Sequence, residues 1–447
     1  MIQKKNLANL TEGSIVRGLL GFAVPLFLGQ LLQQLYNMAD AWVVGNFAEN
    51  EAFAAVSMAS HISFLIIGFF NGIAIGGGVV ISRYFGAKNE KETERAIHTN
   101  FLFGIGASVL STIVGVLLVP RLLVWMHTPE SVMPHALVYF RIYFGGVSTI
   151  IMYNICMAIM RALGDSLHPL YYLIVSSCMN VALDLLFVAG FHWGVGGAAV
   201  ATVLSQGLSA VLCIVRMCKI KDYTGLDFRK LKIYRDVLSQ VIHQGLPSGL
   251  QNSVISIGNL VVQANINSFG AYAISGHGAY SKIEGLVFLP IMSMSMALPT
   301  FISQNLGAGE YRRAKKGAFF GIMSGMAELV GLVLYAGCGQ ALQLFVDTPE
   351  AIRFGMIHGH TVALFFFLLA FSHCAAGVMR GCGKAMIPMA VMLASWCGIR
   401  IVYVTAALKV VNEFQMISWA YPLTWTISSG AFLYYMKKID WTRGFES

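Results

Sequence analysis

Two aspartates interrupt long apolar runs, and each is accompanied by polar side chains at helical spacing. Gln33, Asn37 and Asp40 fall at i, i+4 and i+7. Ser177, Asn180 and Asp184 fall at i, i+3 and i+7. On a helix each trio shares one face. Thr202, Ser205 and Gln206 gather in a third apolar run. A charged side chain in the bilayer core costs at least ~2.5 kcal/mol. Turned to lipid, these stripes would be prohibitive, so they are expected to converge inside one helical bundle. Two carboxylates with amide and hydroxyl neighbours suit reversible cation binding. Desolvation and mutual repulsion oppose two negative charges held side by side, and oxygen donors suit a hard ion. A proton or Na+ could load and leave there. The plainer alternative, a set of satisfied interhelical hydrogen bonds, fits one stripe more easily than two.

Other charges lie in apolar runs as well: Lys282, Glu284, Glu328 and Arg400. Lys282 and Glu284 are two apart and do not face each other. Arg400 or Lys282 is expected to pair with Glu328 across helices, or to snorkel. Pro25 and Pro247 each sit inside a run and remove a backbone hydrogen bond, so kinks are expected. Pro25 reads as a hinge linked to Asp40, or as a static kink. The eleven His show no clustering in sequence, and His358 with His360 is not a convincing metal pair. The eight Cys are scattered with no metal-type spacing and read as reduced thiols.

The elements that must position these groups are long. Of the 447 residues, 57% are hydrophobic and 11% charged, against about 25% charge in a soluble domain. Twelve apolar segments run roughly over 15–44, 53–83, 97–119, 134–160, 168–190, 196–217, 237–268, 275–304, 317–342, 354–379, 385–408 and 415–436. Each can supply the ~20 residues a helix needs to cross the hydrocarbon. Continuous apolar runs argue against an outer-membrane barrel. Met1 to Ser14 lacks the features of a cleaved signal peptide. With the N-terminus placed in the cytoplasm, Arg121, Arg353 and Lys409 fall on outside loops. Arg141, Lys282 and Arg400 fall within spans, and every other Lys and Arg lies on the inside. That asymmetry orients the chain with both termini cytoplasmic. Basic charge alternating loop by loop is a membrane signature, not a nucleic-acid surface.

Four landmarks recur in order. Pro25 and Phe47 correspond to Pro247 and Phe269. Ser82, Gly86 and Ala87 correspond to Ser303, Gly307 and Ala308. Thr128-Pro129-Glu130 corresponds to Thr348-Pro349-Glu350, each expected to cap a helix start. Met160, Arg161, Gly164 and Pro169 correspond to Met379, Arg380, Gly383 and Pro388. The offsets drift from 222 to 219, as an old duplication would leave them. Six spans per half make a parallel repeat. The expected division is an N-terminal six-helix lobe at 1–217, a basic cytoplasmic linker at 218–236 and a C-terminal six-helix lobe at 237–447.

Leu10-Thr11-Glu12-Gly13, Pro25, Tyr36-Asn37 with Asp40, Gly86-Ala87, Met160-Arg161 with Gly164-Asp165, and Gln304-Asn305 with Gly307-Ala308 together resemble the multidrug and toxic compound extrusion (MATE) family, in its DinF-like branch. The resemblance covers nearly the whole chain. It implies an all-α membrane protein of twelve transmembrane helices in two lobes around a V-shaped central cleft. It implies a secondary antiporter of the bacterial cytoplasmic membrane that exports lipophilic or cationic organic compounds in exchange for H+ or Na+. No cofactor is expected, and a single chain is expected to suffice. The family's N-lobe cation site maps onto Asp40, Asn180, Asp184 and Thr202, and Na+ is one candidate occupant. Gln34, Tyr36, Asn37, Asn154 and Ser177 are the expected substrate-pocket residues. Another branch uses C-lobe carboxylates in spans seven and ten. Here span seven has only Asp236 at its edge and span ten has none, which puts a C-lobe site of that type in doubt. The rival reading is a flippase for lipid-linked saccharides. An enzyme would need a nucleophile elbow, clustered acids or a metal site, and none is visible; no phosphate loop suggests ATP drive.

Overall fold

The computed structural model describes residues 10–47, 50–125, 128–220, 222–326 and 330–443, and their regular structure is helical throughout. Glu328, the expected ion-pair partner, lies outside the described residues. The first half comprises α1 (Ile15–Phe47), α2 (Asn50–Gly86), α3 (Glu90–Trp125), α4 (Met133–Gly145), α5 (Val147–Ala162), α6 (Leu167–Asp184) and α7 (Gly194–Lys219). The second comprises α8 (Arg235–Asn267), α9 (Ala271–Val287), α10 (Leu289–Gly307), α11 (Tyr311–Met326), α12 (Val330–Gln343), α13 (Pro349–Ala363), α14 (Phe366–Gly381), α15 (Met386–Met392), α16 (Arg400–Val410) and α17 (Phe414–Lys438).

These helices form the twelve expected spans. Among the described residues, seven runs are long and apolar enough to cross alone. Three more cross as bent pairs: α4 with α5 at 43°, α9 with α10 at 45°, and α13 with α14 at 58°. α8 and α17, at 33 and 25 residues, are less apolar but long enough, and complete the set. The protein is an all-α membrane protein of two six-span halves.

The repeat is visible in backbone geometry. Gly164 and Gly383 both take positive φ, at 88° and 82°. Around them Asp165 N–H donates to Met160 O at 3.0 Å, and Lys384 N–H to Met379 O at 3.0 Å. Each is a left-handed cap that satisfies the last carbonyls of its helix. Lys88 and Gly309 form a second matched pair, at φ 54° and 74°. The capping expectation for span four fails. Thr128 donates its hydroxyl to Leu123 O at 2.8 Å, and α4 starts after Val132 without a side-chain cap. Thr348 does occupy the N-cap of α13, with Pro349 next and Glu350 in the first turn, but makes no side-chain cap hydrogen bond.

The described residues group into two compact units. One runs over Val24–Leu246; the other takes Leu10–Ala23 and everything from Pro247 onward. Thus α1 changes unit at Ala23–Val24, immediately before Pro25, and α8 changes at Leu246–Pro247. α1 is helical straight through Pro25. Within the second unit, buried Leu10 is pinned by Arg313, whose guanidinium donates to the carbonyls of Leu10, Glu12 and Gly13 at 3.1, 2.8 and 2.6 Å. Within the first, the stretch expected as an inter-lobe linker is folded onto α3. Asp227 N–H donates to His98 Nε2 and Tyr234 N–H to Thr99 Oγ1, both at 3.2 Å. The core of this unit is built around α5, with Ile150, Ile151, Ile155 and Ile159 all buried. α2 and α8 cross so closely that a Cβ on Gly76 would lie 2.2 Å from Gly245 N; only glycine allows that approach.

Candidate ion-coupling site

α6 ends at Asp184, and the next residues, Leu185–Gly190, widen into a π-helical turn. Such turns are rare and recur at functional sites. Asp184 is 0% exposed and Asn180, one turn earlier, 1%. Neither carboxylate oxygen of Asp184 and neither amide atom of Asn180 has a hydrogen-bond partner among the described residues. α1 brings half-buried Asp40 against this face, so that the Asp40 and Asp184 carboxyls are neighbours. Asp40 Oδ1 is also buried and unpartnered. Tyr36, one turn before Asp40, brings its hydroxyl to Thr202 of α7, which is 9% exposed. The hydroxyl of Ser205 is turned back to Thr202 O at 2.9 Å.

Buried polar groups are almost always satisfied, and each one left open costs about 1–3 kcal/mol. Here the open atoms are mostly acceptors on two neighbouring carboxylates. Protonation of one carboxyl, or an ion held between them, relieves both the desolvation and the repulsion. The donor set of carboxylate, amide and hydroxyl oxygen suits a proton or a hard monovalent ion.

The sequence reading missed two members. Tyr139 and Tyr143 of α4 are buried, stacked at 6.0 Å with ring planes 13° apart. Tyr139 is within electrostatic reach of Asp40, Asp184 and Tyr36; Tyr143 is within reach of Tyr36. Their spacing of four was the only signal available. Among the expected pocket residues, Gln34 and Ser177 are half-buried and Asn37 is exposed on α1. Asn154 is buried but donates its amide to Ile150 O of its own helix at 2.8 Å, which turns that donor back onto α5. Two surface cavities, of 800 Å³ and 720 Å³, lie elsewhere.

The second unit holds a different polar cluster. Arg400 is 2% exposed. It donates to Thr424 Oγ1 at 2.9 Å and to Asn259 Oδ1 at 3.5 Å, and lies over the Tyr421 ring at 4.4 Å. Glu284 is within its electrostatic reach, but no ion pair between them is formed among the described residues. Lys282 is exposed, 5.6 Å from the Phe345 ring, as a snorkelling lysine would be. The His do not all stand apart: His277 and His358 come within 4.7 Å, ring centre to ring centre.

A model of the MatE family matches residues 25–186 and again residues 247–405. The chain belongs to the MatE family. The two matches begin at Pro25 and Pro247, at the offset the repeat gives. The chain is 27% identical over 430 residues to the probable multidrug resistance protein YpnP of Bacillus subtilis, covering 96% of each. A solved outward-facing multidrug resistance MATE family transporter of the MOP superfamily superposes with a TM-score of 0.90 at 19% identity, covering 99% of both chains. So does a MOP superfamily transporter from Pyrococcus furiosus, at 0.89 and 19% over the same 99%, whose binding pocket of reversed polarity suggests a different function. At such identities the likeness establishes the fold, and the function of this member of the MatE family resides in the residues of its site.

Proposed function

We propose that this MatE-family chain is a secondary antiporter of the bacterial cytoplasmic membrane, exporting lipophilic or cationic organic compounds in exchange for H+ or Na+. One observation carries the reading: Asp40 and Asp184 come from helices far apart in sequence and meet in a buried, under-satisfied polar site. The multidrug assignment of the Bacillus subtilis relative supports the substrate class. In the doubly charged form the site attracts a lipophilic cation. Loading of a coupling ion neutralises it and weakens that attraction. A ligand shifts a conformational equilibrium only by its differential affinity for the two states, and shared carboxylates supply that difference. The membrane potential contributes about 2.3 kcal/mol per charge per 100 mV. Asp40, Asn180, Asp184 and Thr202 hold the ion, with Gln34, Tyr36, Asn37 and Ser177 facing substrate and Pro25 as the hinge of α1. The transport cycle needs no cofactor and no second chain, and the asymmetry of Lys and Arg supports a cytoplasmic position for both termini.

Ethidium efflux tests this. Cells expressing the chain should accumulate less ethidium than empty cells, and Asp40→Asn should abolish the difference. Equal accumulation with and without the wild-type chain would remove drug export and favour transport of another cargo, such as a lipid-linked saccharide. Proteoliposomes given a Na+ gradient or a pH gradient alone would identify the coupling ion.

A further inference from the structure

The 720 Å³ cavity lies in the first unit, where α3 begins and residues 229–234 fold back over it. Five cations line it: Lys91, Arg95, Arg229, Lys230 and Lys232. Of the nearby acids, Asp227 lies within electrostatic reach of Lys230 and accepts the backbone N–H of Arg229 at 3.0 Å. Glu92 and Asp236 hold Arg95 at 2.6 and 2.9 Å, and Glu94 holds Lys230 at 2.9 Å. The side chains of Lys91, Arg229 and Lys232 have no acidic partner among the described residues. Like charges on one concave surface repel one another and focus a positive field that draws in an anion. The same segment exposes two apolar side chains, Phe228 at 56% and Ile233 at 46%. Cations beside exposed apolar groups are the two components of an interfacial anchor. α3 and α8 both start here, so with both helices as membrane spans the cavity falls at the end of those spans that carries the basic residues.

We propose that this cavity binds the phosphate of an anionic phospholipid headgroup, with Lys91, Arg229 and Lys232 on the phosphate oxygens and Phe228 and Ile233 in the acyl boundary. A soluble phosphate offers the same charge but leaves both apolar groups in water. The assignment rests on α3 and α8 spanning the membrane, and is independent of what the chain exports.

The test is native mass spectrometry of the purified full-length chain, equilibrated with equal amounts of phosphatidylglycerol and phosphatidylcholine. Each cation near an anionic headgroup is worth about fivefold in binding. Wild type should retain phosphatidylglycerol selectively, and the triple variant Lys91→Gln, Arg229→Gln, Lys232→Gln should lose about a hundredfold of that retention. The charge-keeping triple Lys91→Arg, Arg229→Lys, Lys232→Arg should retain it, which separates lost charge from lost fold. Phe228→Ser with Ile233→Ser should also weaken retention. Undiminished phosphatidylglycerol on the charge-removing triple would overturn the proposal. So would displacement of the lipid by an equal concentration of glycerol phosphate, which would mark a site for soluble anions.

Discussion

Asp40 and Asp184 carry the same group in different surroundings. Asp184 is wholly excluded from solvent with both oxygens open; Asp40 is half-buried. A buried charge without partners destabilises a fold. Asp184→Asn keeps the shape and removes the charge, so the detergent-solubilised protein should melt no lower than wild type while ethidium efflux falls at least about tenfold. A large drop in melting temperature would instead make Asp184 a structural group. Tyr139→Phe removes one hydroxyl beside the pair and should lower efflux several-fold without unfolding the protein. Wild-type efflux from that variant would take Tyr139 out of the site. The carboxylates were legible in sequence because a charge inside an apolar run is too costly to face lipid and must turn inward. The tyrosines were not, since a phenol is ordinary in a membrane span. Asn154 and Asn180 look alike in sequence; only the fold shows that one bonds its own helix and the other is left open towards Asp184.

At the level of elements, the two halves end their matched helices with the same left-handed turns but not with the same residues. Gly164 and Gly383 fill one pair; Lys88 and Gly309 fill the other. A side chain in that conformation costs about 1–2 kcal/mol. Gly383→Ala should therefore lower stability by about 1 kcal/mol, whereas Lys88→Gly should be neutral or stabilising by up to about that amount, both read from thermal melts in detergent. The same sign for both substitutions would mean that the turns are not equivalent. The existence and order of the twelve spans were readable from apolar runs alone. The bends were not. α4 turns into α5 at Gly146 and α13 into α14 at Leu364–Phe365, with no proline at either break. The Thr-Pro-Glu landmarks marked the right places but overstated the capping, because Thr128 spends its hydroxyl on the preceding helix.

For the whole molecule, duplication made the architecture readable, and divergence between the copies made the site readable. The open pair of acids lies in the first unit. The second carries a buried guanidinium held by hydroxyl, amide and aromatic groups, with Glu284 nearby. Removing one member of a buried polar cluster usually costs stability, whereas removing a coupling group costs transport. Those two losses can be told apart. Glu284→Gln should leave ion-driven ethidium efflux within about twofold of wild type once corrected for protein level, and its melting temperature should shift by no more than a few degrees. Asp184→Asn should likewise spare the fold, yet stop transport. If Glu284→Gln abolished the response to an imposed pH or Na+ gradient while the protein stayed folded, the second half would carry an engine of its own. The reading in which only the first copy kept the ion site would then fail.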